Sequence, residues 1–125
     1  MKEAIYKMKP DSEHYIDERC WITEQSNSEN DPDLSVAQAR VEVGVTTRWH
    51  SLRGTLERYV IIAGTGIMEV GDLAPQEVTA GDVVVIPPDV RQRITNTGDD
   101  DLLFLCLCTP RFHDDVYQDL EDEIK

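Results

Sequence analysis

The sequence lacks the features that mark nucleic-acid-binding and membrane-spanning proteins. It has 12 Lys and Arg against 25 Asp and Glu, a formal charge of −13, whereas nucleic acids and anionic membranes attract clustered basic residues. The longest apolar run, from Leu102 to Cys108, has seven residues and is too short to cross a bilayer. No basic segment followed by an apolar one lies near Met1, so we expect no export signal and a cytoplasmic protein.

Cysteine is also scarce, with three residues, an odd number that cannot form a closed disulfide framework. Cys106 and Cys108 are two positions apart in a strand-like run, which places both on one face. They are either a pair of soft metal ligands or small buried hydrophobic residues, and burial is the usual role of an unpaired cysteine. Sequence motifs for phosphate loops, serine hydrolases and zinc proteases are absent as well.

The composition favours a folded, strand-rich chain. Its 125 residues are typical of one domain, and Leu, Ile, Val and Phe make up about 26% of them, above the level at which disorder is expected. Val, Ile and Thr are common while Ala is rare, which favours strands over helices. The acidic charge lies at the ends, since residues 36–98 carry seven acids and six bases.

The pattern predicts three parts. Residues 1–35 form a polar N-terminal arm with an acidic loop, residues 36–109 form a barrel, and residues 110–125 form an acidic C-terminal segment. About eight to ten short, closely spaced strands fit an all-β sandwich, barrel or jelly roll. In the last segment Val116, Leu120 and Ile124 recur every four residues, which predicts a short helix docked on the barrel.

Two spaced motifs lie within the predicted barrel. The first has five residues between Gly44 and His50, followed by Glu57 and a glycine at position 64, and the second contains Gly81, Pro87 and Asn96. In this register the chain resembles a small single-domain cupin over residues 36–109. The resemblance implies a cupin-like jelly-roll β-barrel whose inward-facing side chains form the site.

The chain departs from the cupin motifs at three positions. Leu52 stands where the second histidine of the first motif would fall, Gln92 stands at the histidine of the second motif, and Asp89 replaces a glycine. In the family three histidines and one glutamate hold a divalent metal. Here the resemblance leaves His50, Glu57 and the amide oxygen of Gln92 as a ligand set for Zn, Mn, Fe or Ni. The other interpretation is a polar pocket without metal.

Strand alternation predicts the rest of the pocket. Arg48 shares a face with His50, and Tyr59 shares one with Glu57, so both are expected to line the cavity together with Gln92. Without a metal, Glu57 would pair with Arg48, Arg91 or Tyr59. His50 and Glu57 could still transfer protons, because the surroundings can bring both pKa values towards neutrality.

Two functions follow from these alternatives. One is a metal-assisted enzyme that acts on a small organic acid or a sugar-derived molecule, with His50 and Glu57 as catalytic residues. The other is a metal-free module that binds or senses a small molecule at a degenerate metal site. The family resemblance also implies a homodimer in which the stretch before Val36 supplies an exchanged edge strand.

Overall fold

The chain folds into two facing β-sheets, and buried and more exposed residues alternate along their strands. The computed structural model describes residues 1–124. In the strand Leu56–Ala63, Glu57, Tyr59 and Ile61 are buried while their neighbours are more exposed, so one face of the strand points inwards. Eleven strands are present in this part of the chain: β1 (His14–Ile16), β2 (Cys20–Ser26), β3 (Ser35–Val41), β4 (His50–Leu52), β5 (Leu56–Ala63), β6 (Thr65–Val70), β7 (Gln76–Thr79), β8 (Val83–Ile86), β9 (Gln92–Asn96), β10 (Leu102–Thr109) and β11 (Tyr117–Asp119).

The strands form two antiparallel sheets. One has six strands in the order β1-β2-β3-β10-β5-β8, and the other has five in the order β11-β4-β9-β6-β7. The inner faces of the two sheets enclose a core in which the rings of Tyr59 and Phe104 pack with their centroids 4.3 Å apart. The predicted all-β, jelly-roll type of barrel is therefore confirmed.

Two residues of the sequence motifs have structural roles. Gly64 has φ of +90°, and a Cβ atom there would lie 2.8 Å from the carbonyl oxygen of Asp101, so only glycine fits this turn. Asn96 is buried and its amide nitrogen donates to the carbonyl oxygens of Val41 and Asp100, at 2.9 and 2.8 Å. Both residues hold the end of the barrel together and lie away from the candidate site.

The N-terminal part of the chain contributes to the larger sheet. Strands β1 and β2 form a hairpin, and β2 pairs with β3 from Trp21 opposite Arg40 onwards. The chain reverses in a tight turn between β1 and β2, in which Arg19 has a left-handed backbone conformation with φ of 74°. This turn directs Glu18 towards the second sheet.

The predicted C-terminal helix is wrong. Residues Asp114–Val116 form a single 3-10 turn, after which Tyr117–Asp119 pairs as β11 with β4. The amide of Leu120 then donates to the carbonyl oxygen of Trp49 at 2.8 Å, which extends the pairing. A helix this short is only marginally stable alone, whereas the edge of β4 offers unpaired backbone groups.

No helix within residues 1–124 has the length and apolar character needed to cross a membrane.

Candidate active site

A cavity of about 370 Å³ lies between the two sheets near the N-terminal hairpin. Side chains from both sheets, from the β1–β2 turn and from the C-terminal segment line it. The lining residues are His14, Ile16, Asp17, Glu18, Ile22, Glu24, Ser35, Val36, Ala37, His50, Leu52, Glu57, Tyr59, Cys106, Cys108, Phe112, Asp114 and Tyr117. This volume is in the range of small-molecule binding sites.

His50 is held in one orientation at the start of β4. Its Nδ1 lies 2.7 Å from the carbonyl oxygen of Arg48, and a carbonyl can only accept, so Nδ1 carries the hydrogen. The ring of Tyr117 stacks on the imidazole with centroids 5.2 Å apart and planes inclined by 18°. In the neutral ring Nε2 therefore carries the lone pair that a general base requires, and Oε1 of Glu18 lies 3.5 Å from it.

Glu57 lies deep in the cavity wall on β5 and is 7% exposed. Its Oε1 accepts a hydrogen bond of 2.8 Å from the amide nitrogen of Gln92, and its Oε2 accepts a weak one of 3.7 Å from the thiol of Cys108. Burial raises the pKa of Glu57 from 4.5 to about 7, against the opposing effect of His50 and with a further contribution from the negative charge of Glu18. The carboxyl group can therefore hold a proton near neutral pH.

Glu18 completes the polar part of the cavity, although no sequence motif points to it. Its Oε1 lies 3.5 Å from Nε2 of His50, and its Oε2 is 3.6 Å from the thiol of Cys20. Its backbone carbonyl accepts a hydrogen bond of 3.1 Å from the amide of Arg48, which ties the hairpin turn to the site. Glu18 is 32 residues from His50 in the chain, outside both motifs, and only the pairing of the N-terminal hairpin reveals its position.

Of the predicted pocket residues, Tyr59 lines the cavity, whereas Gln92 lies behind the cavity wall and contacts Glu57. Gln92 is fully buried and contacts Glu57 through its amide nitrogen. Within residues 1–124 its Oε1 is the buried side-chain polar atom that has no hydrogen-bond partner. The amide thus presents a donor to Glu57, whereas the family resemblance implied that its oxygen would be a metal ligand.

The two predicted arginines lie outside the cavity. Arg48 forms an ion pair with Asp119 at 3.0 Å. Because β4 begins only at His50, Arg48 lies before the strand and does not share the inward face of His50. Arg91 precedes β9, where its guanidinium lies over the ring of Trp49 and its Nε donates to the carbonyl oxygen of Gly71. The expectation that either arginine balances Glu57 in the pocket is therefore corrected.

The cysteines contribute to the cavity wall as uncharged groups. Cys106 and Cys108 both line the cavity from β10. Burial raises the pKa of both thiols, and the nearby Glu57 raises them further. Neither thiol is therefore ionised near neutral pH.

The donor set does not fit a cupin metal centre. Leu52 faces the cavity with a hydrocarbon side chain, and Gln92 directs its amide hydrogens, which cannot ligate, at Glu57. Within the described part of the chain no three His, Cys, Asp or Glu side chains converge in a way that could hold a metal ion. One imidazole and the carboxyl group of Glu57, which is bonded to Gln92, form a weaker set than the family's three histidines and one glutamate.

Comparison with known proteins agrees with the two-sheet barrel. The family model described as the cupin domain matches residues 37–108, more than half of the chain. The chain belongs to the cupin family. An uncharacterised protein of Methanocaldococcus jannaschii is 38% identical to this cupin over 83 residues, which is 66% of either protein.

Solved structures with a similar fold include proteins of different activities. The nucleoside dehydratase Pac13 from Streptomyces has a TM-score of 0.76 and 16% identity, covering 94% of this chain and 92% of its own. KdgF from Halomonas sp. has a TM-score of 0.77 and 16% identity, with 91% and 98% coverage. A predicted oxalate decarboxylase from Thermotoga maritima has a TM-score of 0.76 and 20% identity, with 86% and 99% coverage. At these identities the likeness shows the fold alone.

Proposed function

We propose that this cupin is an acid–base enzyme that acts on a small organic molecule in the cavity without a bound metal. The observation that carries the proposal is the pairing of a fixed imidazole with a buried carboxyl group in one cavity. His50 has its Nδ1 hydrogen bonded to the backbone, so Nε2 is the base, and Glu57 has a pKa of about 7 and is the acid.

The reaction consists of two proton transfers. Nε2 of His50 accepts a proton from a carbon atom of the substrate, and the electron pair of that bond moves into the substrate skeleton. Glu57 donates its proton to a substrate oxygen, and that oxygen either stays as an enol or leaves as water. His50 is then protonated and Glu57 ionised, and return of one proton between them through solvent restores both groups.

The nature of the donor set supports chemistry of this kind. With Leu52 and Gln92 at the positions of the family's histidines, the cavity offers proton donors and acceptors in place of metal ligands. A nucleoside dehydratase of the same fold is a precedent for elimination of water in such a barrel. A module that only binds its ligand, the second candidate, would not need a base with its lone pair free beside a carboxyl group that can hold a proton.

Exchange of carbon-bound hydrogen tests the proposal. Hydroxyacetone, a small neutral ketone, is incubated with the protein in D₂O, and proton NMR follows its conversion to the deuterated form. We expect exchange above the buffer rate, a loss of about 100-fold or more in His50→Gln, and a smaller loss in Glu57→Gln. The exposed Glu77→Gln is the matched control and keeps the wild-type rate.

Addition of a chelator separates the acid–base reaction from a metal-assisted one. The proposal predicts an unchanged exchange rate and less than about a tenth of an equivalent of transition metal in protein purified without a chelating tag. A rate that falls with the chelator, or one equal in wild type and His50→Gln, contradicts the proposal.

A further inference from the structure

The cavity is lined by more acidic than basic side chains. Of its lining residues within the described chain, five are Asp or Glu and none is Lys or Arg. Asp17, Glu24 and Asp114 are exposed at the mouth, while Glu18 and Glu57 lie further inside. Even with both lining histidines protonated and Glu57 neutral, the cavity stays negative, so it repels carboxylates and attracts cations.

Glu18 lacks the strong partners that a carboxylate of its burial normally has. Its side chain is 13% exposed, yet its contacts in residues 1–124 are Nε2 of His50 at 3.5 Å and the thiol of Cys20 at 3.6 Å. Charged hydrogen bonds are usually shorter than 3 Å, so both contacts are weak. A carboxylate that faces the cavity without a close donor from the protein can accept hydrogen bonds from a donor group of a ligand.

Aromatic side chains line the same space. Tyr59 is 1% exposed and lines the cavity, and Tyr117 lines it with its ring stacked on that of His50. The cavity thus offers acidic and aromatic side chains to a single small molecule.

We infer that the ligand of this cavity is a small organic cation, a protonated amine whose ammonium group binds Glu18 while its body packs against Tyr117. An ammonium group carries the positive charge and the hydrogen-bond donors that the Glu18 carboxylate lacks. An aromatic ring near an ammonium group stabilises its charge through the π face, and Tyr117 lines the same cavity. The inference rests on the proposed function in that it names the substrate class of the same site, and it replaces the organic acid expected from the sequence.

Three probes of one skeleton and different charge test the inference. They are tyramine (a cation), 2-(4-hydroxyphenyl)ethanol (neutral) and 4-hydroxyphenylacetate (an anion), and calorimetry or NMR titration at pH 7.5 gives their Kd values. We expect tyramine to bind at least about tenfold more tightly than the neutral probe and the anion to bind most weakly, because the probes differ mainly in charge. Equal binding of the first two, no binding of tyramine, or preferred binding of the anion overturns the inference.

Substitution of Glu18 tests whether its negative charge causes the preference for the cationic probe. Glu18→Gln keeps the size of the side chain and is expected to abolish the preference for tyramine while the Kd of the neutral probe stays within about twofold. Glu77→Gln makes the same change of net charge on an exposed strand away from the cavity and is expected to keep the preference. A preference that survives in Glu18→Gln overturns the assignment to Glu18.

The two proposals fail in different ways. The hydroxyacetone exchange reports proton transfer on a neutral compound and does not depend on Glu18 as a binding group. Charge selection without exchange therefore contradicts the acid–base function alone, and exchange without charge selection contradicts the cationic ligand alone.

Discussion

Glu57 is the residue in which burial has its largest consequence. Its side chain on β5 is buried and its closest partner is a neutral amide, so the charged form is poorly stabilised. With a pKa of about 7, Glu57 changes between its protonated and ionised forms near the pH at which most cellular reactions occur. The same side chain that destabilises the fold when ionised can thus serve as a proton donor.

The stability of the protein should depend on pH through Glu57. The folded state keeps the proton up to about pH 7, whereas the unfolded carboxyl loses it near 4.5, so the folded state binds more protons between these values. The free energy of unfolding therefore falls as pH rises from 4.5 to 7, by an amount of order 3 kcal/mol. Urea unfolding of wild type and Glu57→Gln across this window measures the difference, which should grow with pH in favour of the variant.

A pH-independent difference between the two proteins would show that Glu57 titrates normally. Glu57→Asp is a useful second variant, since it keeps the carboxyl group and should keep a falling trend.

Two substitutions should rebuild a metal centre. Leu52→His with Gln92→His restores the family's histidines next to His50 and Glu57, and we expect an increase of at least about 100-fold in affinity for Ni²⁺ or Co²⁺. Calorimetry measures the affinity, and the visible spectrum of bound Co²⁺ reports nitrogen and oxygen ligands. Adding Glu57→Gln to the pair is the control and should weaken binding again. No gain in affinity would mean that positions 52 and 92 do not face one site.

At the scale of elements, β11 is the part of the barrel that the sequence pattern misrepresents. The four-residue spacing of Val116, Leu120 and Ile124 resembles a helical stripe, but the segment pairs with β4 and places Tyr117 on His50. Local periodicity over one or two turns carries little energy, so a long-range pairing partner decides the structure.

Nuclear magnetic resonance distinguishes the strand from the helix. We expect a cross-strand Hα–Hα contact or paired amide contacts between Gln118 and Ser51, and slow hydrogen exchange for amides of β11 that bond to β4. Sequential contacts three residues apart throughout residues 114–124, typical of a helix, would contradict this pairing.

The motifs predicted the barrel and its two central residues, because His50 and Glu57 sit in short segments whose spacing reflects the strands themselves. Arg48 was misplaced because strand alternation was extended over residues 47–49, where the chain is still a loop. Glu18 was missed because its position depends on the pairing of a separate hairpin, which no local pattern encodes. Residues placed by long-range contacts are those that a single sequence does not reveal.

At the scale of the whole molecule, part of the negative charge of the chain ends gathers at the cavity. Most acids at the two ends of the chain are exposed, and the hairpin turn and the C-terminal segment bring several of them to the mouth of the cavity. Residues 36–98 carry almost no net charge, so the acidic side chains at the mouth of the cavity come mainly from the two ends of the chain. Such an entrance attracts cations over distances of about 10 Å at low salt.

The homodimer expected from the family resemblance stays a prediction, but the stretch before Val36, expected to supply an exchanged strand, pairs here with β3 of its own chain. Strand β8 forms one edge of the larger sheet, and its Val83 and Val85 are 58% and 56% exposed. An exposed apolar edge strand is a surface that a second copy can cover. We expect sedimentation to give a dimer, and Val83→Lys with Val85→Lys to give a monomer with the same circular dichroism. A wild-type monomer at all concentrations tested would contradict the prediction.

The ionisation of Glu57 is the property on which the acid–base account depends most directly. Carbon-13 NMR of the glutamate carboxyl groups across pH 3 to 9 measures it, with the Glu57 signal assigned by its absence in Glu57→Gln. The account predicts a titration midpoint near 7. A midpoint close to the ordinary value of 4.5 would contradict it, because Glu57 would then be ionised at neutral pH and have no proton to donate.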